Sequence, residues 1–251
     1  MSDNSLKNKT VIVTGGAKNL GGLISRKFAE LGANLVIHYN SNSTAKDAEQ
    51  TLKDVQAYGV KAVLFKADLS DINNIEQLFL TAKQEFGGID IAINTIGKVL
   101  KKPFVETTEA EFDSMSDINS KIAYFFIQSA GKHLNNNGRI CTIVSSLLAA
   151  YTGLYSTYAG LKAPVEHYTR AASKEFGERG ISVTAVAPGP MDTPFFYGQE
   201  SPEAVAYHKS ASALSGLTNI EDIEPLVRFL VTDGWWITGQ TIFANGGYTT
   251  R

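Results

Sequence analysis

One cysteine, Cys141, stands in 251 residues, so no intrachain disulfide forms and a reducing cytoplasm is the expected compartment. The four histidines, His38, His133, His167 and His208, lie far apart without ligand-type spacing, and no metal site is expected. No apolar run approaches the roughly 20 residues that span a bilayer, so no membrane partner is expected. The polar start "MSDNSLKNKT" is expected to carry no signal-peptide core. Nor is there an excess of charge of one sign. With 23 Lys and Arg against 25 Asp and Glu, the formal net charge is -2, which excludes a generally basic surface and argues against nucleic acid as a partner.

What is present is apolar material in a regular rhythm. The chain is 43% hydrophobic and 19% charged, enough for one sizeable core. Short β-branched runs, "KTVIVTG", "ANLVIHY", "KAVLFKADL", "GIDIAINTIG", "GRICTIVSS", "GISVTAVAPG" and "QTIFANGG", alternate with longer amphipathic stretches. Helices are predicted over "LGGLISRKFAELG", ended by Gly32, and over "STAKDAEQTLKDVQAYG", capped by Ser43 or Thr44. Further helical patterns run over 71–86, 108–134, 155–179 and 220–231. Strands separated by helices require right-handed crossovers, hence a parallel sheet covered on both faces. The fold class is therefore α/β, a doubly wound parallel sheet in three layers forming a single domain over 1–251. Only 192–218 breaks the alternation. An insertion there would overhang the crevice beyond the strand ends, where ligands of open sheets bind, and it is predicted to be a substrate lid.

"TGGAKNLGG", Thr14 to Gly22, joins the first strand to the first helix. Helix N-terminal N–H groups and the positive dipole end suit a pyrophosphate if the backbone approaches closely. Asn19 stands where a third spaced glycine is usual, and Asn is the residue that best tolerates the left-handed turn after glycine. Taken alone the loop is a weak signal, since glycines at a strand–helix turn also serve packing.

Farther on, "NTIG", the pair Ser145-Ser146, "YAGLK", "PGPMDT" and the closing "TGQTIFANGG" follow in order. Together with the loop they resemble the short-chain dehydrogenase/reductase family, in its single-domain branch, over nearly the whole chain. The resemblance implies a Rossmann-type fold, a nicotinamide cofactor, and hydride transfer to or from a carbonyl or alcohol carbon. It places the catalytic set at Asn119, Ser146, Tyr158 and Lys162. Tyr158 and Lys162 are four apart and share one helix face, so the ammonium is expected to bring the phenol pKa towards neutrality. Aligning the strand end selects Ser146, twelve residues before Tyr158; a spacing of thirteen, commoner in the family, would select Ser145. Pro164 removes a helix N–H just beyond the pair and is expected to kink the helix.

Cofactor contacts carried over from the resemblance are Gly15, Lys18, Asn19, Leu20, Tyr39, Asn40, Ser41, Asp68, Leu69, Asn94, Gly97, Pro188, Gly189 and Thr193, with Tyr158 and Lys162. An NAD enzyme of this fold places an acid at the end of the second strand. Here that place is taken by Tyr39, while Lys18 is suitably placed to neutralise a 2′-phosphate, so NADP(H) is expected over NAD(H). Tyr151, Tyr155, Phe195, Phe196, Tyr197 and Leu148 are candidate substrate contacts and suggest a small apolar or aromatic ketone. The leading expectation is an NADPH-dependent carbonyl reductase of such ketones, reversible as an alcohol dehydrogenase. Two other readings are a 3-oxoacyl-carrier-protein reductase and a catalytically idle NADP(H)-sensing protein. Helices 110–134 and 155–179 carry more apolar residues than one sheet-facing stripe needs, and the resemblance implies a homodimer or homotetramer built on them.

Overall fold

Each apolar run of the sequence becomes a strand, and those at the centre of the sheet are buried on both sides while the two outer ones are partly buried. The computed structural model describes residues 6–250. Its strands are β1 (Thr10–Thr14), β2 (Asn34–Tyr39), β3 (Ala62–Lys66), β4 (Ile91–Asn94), β5 (Arg139–Ile143), β6 (Ser182–Pro188) and β7 (Thr241–Ala244). All neighbours pair in parallel, in the order β3-β2-β1-β4-β5-β6-β7. The order reverses between β1 and β4, which opens a crevice beyond Thr14 and Asn94 at the switch point of the sheet. This is a Rossmann-like α/β single domain.

Alternation along β1 divides the core between two layers. Val11 and Val13 pack with Ile24 and Phe28 of α1 (Asn19–Glu30) and Val227 and Leu230 of α10 (Ile220–Val231). Ile12 faces the other way, onto Phe79 of α3 (Ile72–Phe86) and Phe126 of α5 (Ile122–His133). Burying a side chain of this size contributes roughly 1.5–3 kcal/mol, so every second strand residue is committed to one layer. Between β2 and β3 lies α2 (Ala45–Gln56). Its N-cap is Thr44, but no side chain caps it: a short turn over Asn42–Thr44 precedes the helix, and the Thr44 hydroxyl donates to Ser41 O at 3.1 Å.

Two helical breaks fall near the crevice. After α4 (Glu109–Ser116) the chain makes a π-helical turn over Asp117–Lys121, with Asn119 in its middle, before α5 begins. Pro164 divides the next helical stretch into α6 (Ser156–Lys162) and α7 (Pro164–Glu175). Ala163 between them keeps helical angles, φ -60° and ψ -42°, so Pro164 interrupts the hydrogen-bond ladder at a helical joint. The region 192–218 holds α8 (Pro194–Tyr197) and α9 (Pro202–Ala211). Among the described residues no helix is long and apolar enough to cross a membrane.

Candidate active site

The glycine loop packs tightly enough that a side chain at Gly15 or Gly21 would clash. Gly15 takes φ +66°, and a Cβ there would lie 2.7 Å from Thr95 Oγ1. A Cβ on Gly21 would lie 2.2 Å from the carbonyl oxygen of Gly15. Asn19, the first residue of α1, takes φ +50°, the left-handed conformation usually left to glycine. The loop thereby keeps its turn, and the helix N-terminus opens onto a cavity of about 690 Å³.

Gly15, Lys18, Asn19, Leu20, Tyr39, Asn40, Asp68, Leu69, Gly97, Tyr158, Lys162 and Thr193 all border this cavity, as the sequence led one to expect. Four of the expected contacts lie elsewhere. Asn94 is buried, and its Oδ1 accepts from the Thr14 hydroxyl at 2.8 Å and from Ile96 N–H at 3.1 Å, so it ties β4 to β1. Ser41 does not border the cavity; its hydroxyl pairs with that of Ser43 at 2.8 Å. Pro188 and Gly189 border a second, smaller cavity instead. Lys18 is also less free than a solvated loop charge, because its Nζ lies 3.7 Å from the Asp47 carboxylate, both half exposed. Thr95 and Ile96 of the "NTIG" segment have a structural use. Thr95 donates to Thr14 O at 2.7 Å, and Ile96 O accepts from Lys162 Nζ at 2.9 Å.

The second cavity, about 80 Å³, is walled by Val99, Val144, Leu147, Met191, Phe195 and Phe196, and is largely apolar. Tyr158, Val144, Met191, Thr193 and Phe195 border both cavities. A hydroxyl on a helix thus stands at the junction of a long polar crevice and a small apolar one. Of the expected substrate contacts, Tyr155 and Phe196 border only the small cavity. Tyr151 is fully exposed, Tyr197 points its hydroxyl at Asp192 at 2.7 Å, and Leu148 packs into the core. These three are not pocket residues.

The serine assignment changes. Ser146 Oγ is buried, donates to Ala187 O at 3.1 Å and accepts from Asn245 Nδ2 at 2.9 Å, which joins β6 to the C-terminal loop. The hydroxyl of Ser145 is the one that hydrogen-bonds the Tyr158 oxygen. The chain leaves β5 extended at Ser145 and turns immediately, so the two consecutive side chains face opposite ways.

The pKa pattern also departs from expectation. Burial pushes the Tyr158 phenol up to about 12, with the Ser145 hydrogen bond pulling down. Burial pushes Lys162 down to about 8, while its Nζ donates to Ile96 O at 2.9 Å and Ile143 O at 3.0 Å. The ammonium is spent on backbone carbonyls, so desolvation governs the phenol. A Cβ on Gly97 would sit 3.3 Å from that Nζ, so glycine keeps the lysine head open to the crevice. Asn119 is buried; its Nδ2 donates to Lys98 O at 2.9 Å and its Oδ1 accepts from Lys98 N–H at 3.1 Å. It fastens the π-helical turn to the segment after β4, beside Lys162.

Likeness to known proteins runs the length of this frame. The family model described as enoyl-(acyl carrier protein) reductase matches residues 15–249. A hydroxynaphthalene reductase-like protein of Metarhizium anisopliae is 34% identical over 98% of this chain and 97% of its own. A short-chain type dehydrogenase/reductase of Picea abies is 34% identical over 96% of this chain and 93% of its own. The chain belongs to the short-chain dehydrogenase/reductase family. A solved dehydrogenase of Burkholderia cenocepacia, crystallised with bound NADP, superposes with a TM-score of 0.97 at 60% identity, covering 99% of this chain and 96% of that one.

As a short-chain dehydrogenase/reductase the chain holds its glycine loop with a residue that motif reading missed. His38 is buried in β2; its Nδ1 accepts from Gly15 N–H at 3.2 Å, and its Nε2 then donates to Ala67 O at 3.0 Å. Burial lowers its pKa from 6.5 to about 4, against the Ala67 hydrogen bond and the Asp68 charge, which both raise it. The unfolded chain therefore binds more protons than the folded one between these values. Stability should fall by up to about 3 kcal/mol as pH drops from 6.5 through 4, and His38→Gln should flatten that limb of a denaturation-versus-pH curve. A curve unchanged by the substitution would dissociate His38 from the loop. The signal in the sequence was a lone histidine inside the buried run "LVIHY".

Proposed function

We propose that this oxidoreductase is an NADPH-dependent carbonyl reductase of small, apolar or aromatic ketones, with residues 192–218 as its substrate lid. The observation that carries this reading is Tyr158 standing between the polar crevice and the small apolar cavity, with Ser145 hydrogen-bonded to its hydroxyl. NADP(H) fits the crevice by the chain's own chemistry. Lys18 offers a cation at one end, no acid stands at Tyr39 or Asn40, and the buried Thr193 hydroxyl, bordering both cavities, has no protein partner. Bound there, the cofactor supplies the hydride.

The chain's part is to hold and protonate the carbonyl. Ser145 polarises the oxygen, and Tyr158, a neutral phenol at physiological pH because burial keeps its proton on, delivers that proton to the developing alkoxide. Lys162 holds the crevice beside Gly97, and Asn119 positions the turn behind it. With its pKa held near 12 the phenol stays protonated at neutral pH, the form that reduction needs, while the phenolate that alcohol oxidation needs is scarce. Phe112 and Tyr124, half exposed on α4 and α5, support self-association along those helices as part of the same reading.

The cofactor is tested by comparison of kcat/KM. A charge-assisted bond from Lys18 to the 2′-phosphate contributes roughly 1.5–3 kcal/mol, so NADPH is preferred to NADH by about tenfold or more. Lys18→Ala removes most of the preference, Tyr39→Asp reverses it, and Asp47→Asn increases it by releasing Lys18 from its carboxylate. Equal use of NADH by the wild type would overturn the assignment.

A further inference from the structure

Outside the catalytic group lies one carboxylate that the chemistry does not use. Glu200, between α8 and α9, has a side chain with 0% exposure. Its Oε1 accepts from the Tyr155 hydroxyl, and its Oε2 accepts from Lys101 Nζ at 2.6 Å. His208 Nε2 of α9 stands 3.9 Å from the same Oε2, and its Nδ1 is 3.0 Å from the Tyr248 hydroxyl. Lys101 also sits over the Tyr155 ring, 5.6 Å from its centroid.

These partners come from separate parts of the chain. Lys101 lies in the segment after β4, and Tyr155 is the residue that caps α6, three positions before Tyr158. Glu200 belongs to the region over the small cavity, which Tyr155 and His208 both border. A fully buried carboxylate is tolerated only when paired and hydrogen-bonded, and here both oxygens are engaged by groups of the opposite rim. Tyr197, Tyr207 and Leu214 of the same region have exposed side chains.

Resting on the reductase reading above, we propose that Glu200 is a positioning residue: through Tyr155 and Lys101 it clamps the lid onto the rim of the small cavity and so sets the size of ketone admitted. The clamp acts at two places at once. It holds the Tyr155 ring as a wall of the cavity, and it holds the segment carrying Phe195 and Phe196 against the opposite side. Loosening it enlarges the cavity without touching Ser145, Tyr158 or Lys162. A small ketone then loses contacts on one side, and a larger one gains entry. Because the clamp holds by charge as well as by shape, Glu200→Gln should weaken it, Tyr155→Phe should weaken it with the ring wall retained, and Lys101→Arg should preserve it.

Two readouts separate the clamp from the reductase reading. The first is backbone hydrogen exchange over 198–212 in the full-length protein. Glu200→Gln and Tyr155→Phe are expected to speed exchange there by about tenfold or more, Lys101→Arg and the outward Tyr207→Phe to leave it as in the wild type. The second is kcat/KM with NADPH across methyl ketones of increasing chain length. The ratio of short to long substrates is expected to shrink by about tenfold in Glu200→Gln and Tyr155→Phe, carried in Glu200→Gln by KM, with kcat and NADPH affinity nearly constant in that variant. Exchange and size ratio both unchanged in these two variants would overturn the clamp, as would a uniform loss of kcat with the ratio intact. Should the wild type reduce no ketone, the exchange arm still decides the clamp, and the reductase reading alone fails.

Discussion

Tyr158→Phe is expected to lower kcat for ketone reduction by about 10³ or more, with NADPH affinity nearly unchanged. The ring stays, so the shared wall between the polar and apolar cavities stays with it. What goes is a phenolic hydrogen at that junction, on an oxygen hydrogen-bonded by the Ser145 hydroxyl. Without it the developing alkoxide must take its proton from solvent, through a cavity that is small and mostly apolar. The measurement is single-turnover reduction followed at the nicotinamide absorbance, with binding followed separately by fluorescence. A rate within about tenfold of wild type would remove Tyr158 from the proton step. Loss of NADPH binding in parallel would make it a wall residue. The raised phenol pKa adds a directional expectation: the oxidation rate should rise with pH well into the alkaline range, because the base form is scarce below about 12.

Ser145→Ala should lower kcat by about 10² to 10³, the usual consequence of removing one donor from a developing oxyanion. Ser146→Ala should do something different. Its hydroxyl is committed to Ala187 O and Asn245 Nδ2, and deletion leaves that carbonyl and amide short of one buried partner. A buried hydrogen bond of this type is worth about 0.5–1.5 kcal/mol, with a larger cost when the remaining group is stranded. Ser146→Ala should thus appear as a lower Tm with kcat largely retained, and Ser145→Ala as a lower kcat with Tm largely retained. The reverse pattern would restore the assignment made from the strand end. The two substitutions are adjacent in the chain, so their opposite signatures cannot be attributed to general disturbance of the loop.

Much of the molecule was already legible in the order of its residues. Runs such as "TVIVT" and "SVTAVAP" are apolar on both faces, and a strand buried on both faces belongs in a parallel sheet between helical layers. The glycine loop was readable because backbone stereochemistry is local: only glycine and, less readily, asparagine accept the angles found at Gly15 and Asn19. The pair Tyr158 and Lys162 was readable because a four-residue interval on a helix fixes a common face.

Direction and company were decided by the tertiary structure. Ser145 and Ser146 carry the same side chain, and one residue of register determines which meets Tyr158 and which is spent on Ala187 and Asn245. The electrostatics of the pair turned on what else Lys162 could reach, the carbonyls of Ile96 and Ile143, and on how much water the fold removed from Tyr158. Neither quantity exists until segments 60 residues apart are packed together. The Lys18–Asp47 and Lys101–Glu200 contacts are of the same kind, since a charge's partner is set by proximity in space and sequence spacing carries no trace of it. Local stereochemistry and periodicity determined the frame; desolvation and long-range contact decided the protonation of Tyr158 and Lys162, their partners and the shape of the pocket they face.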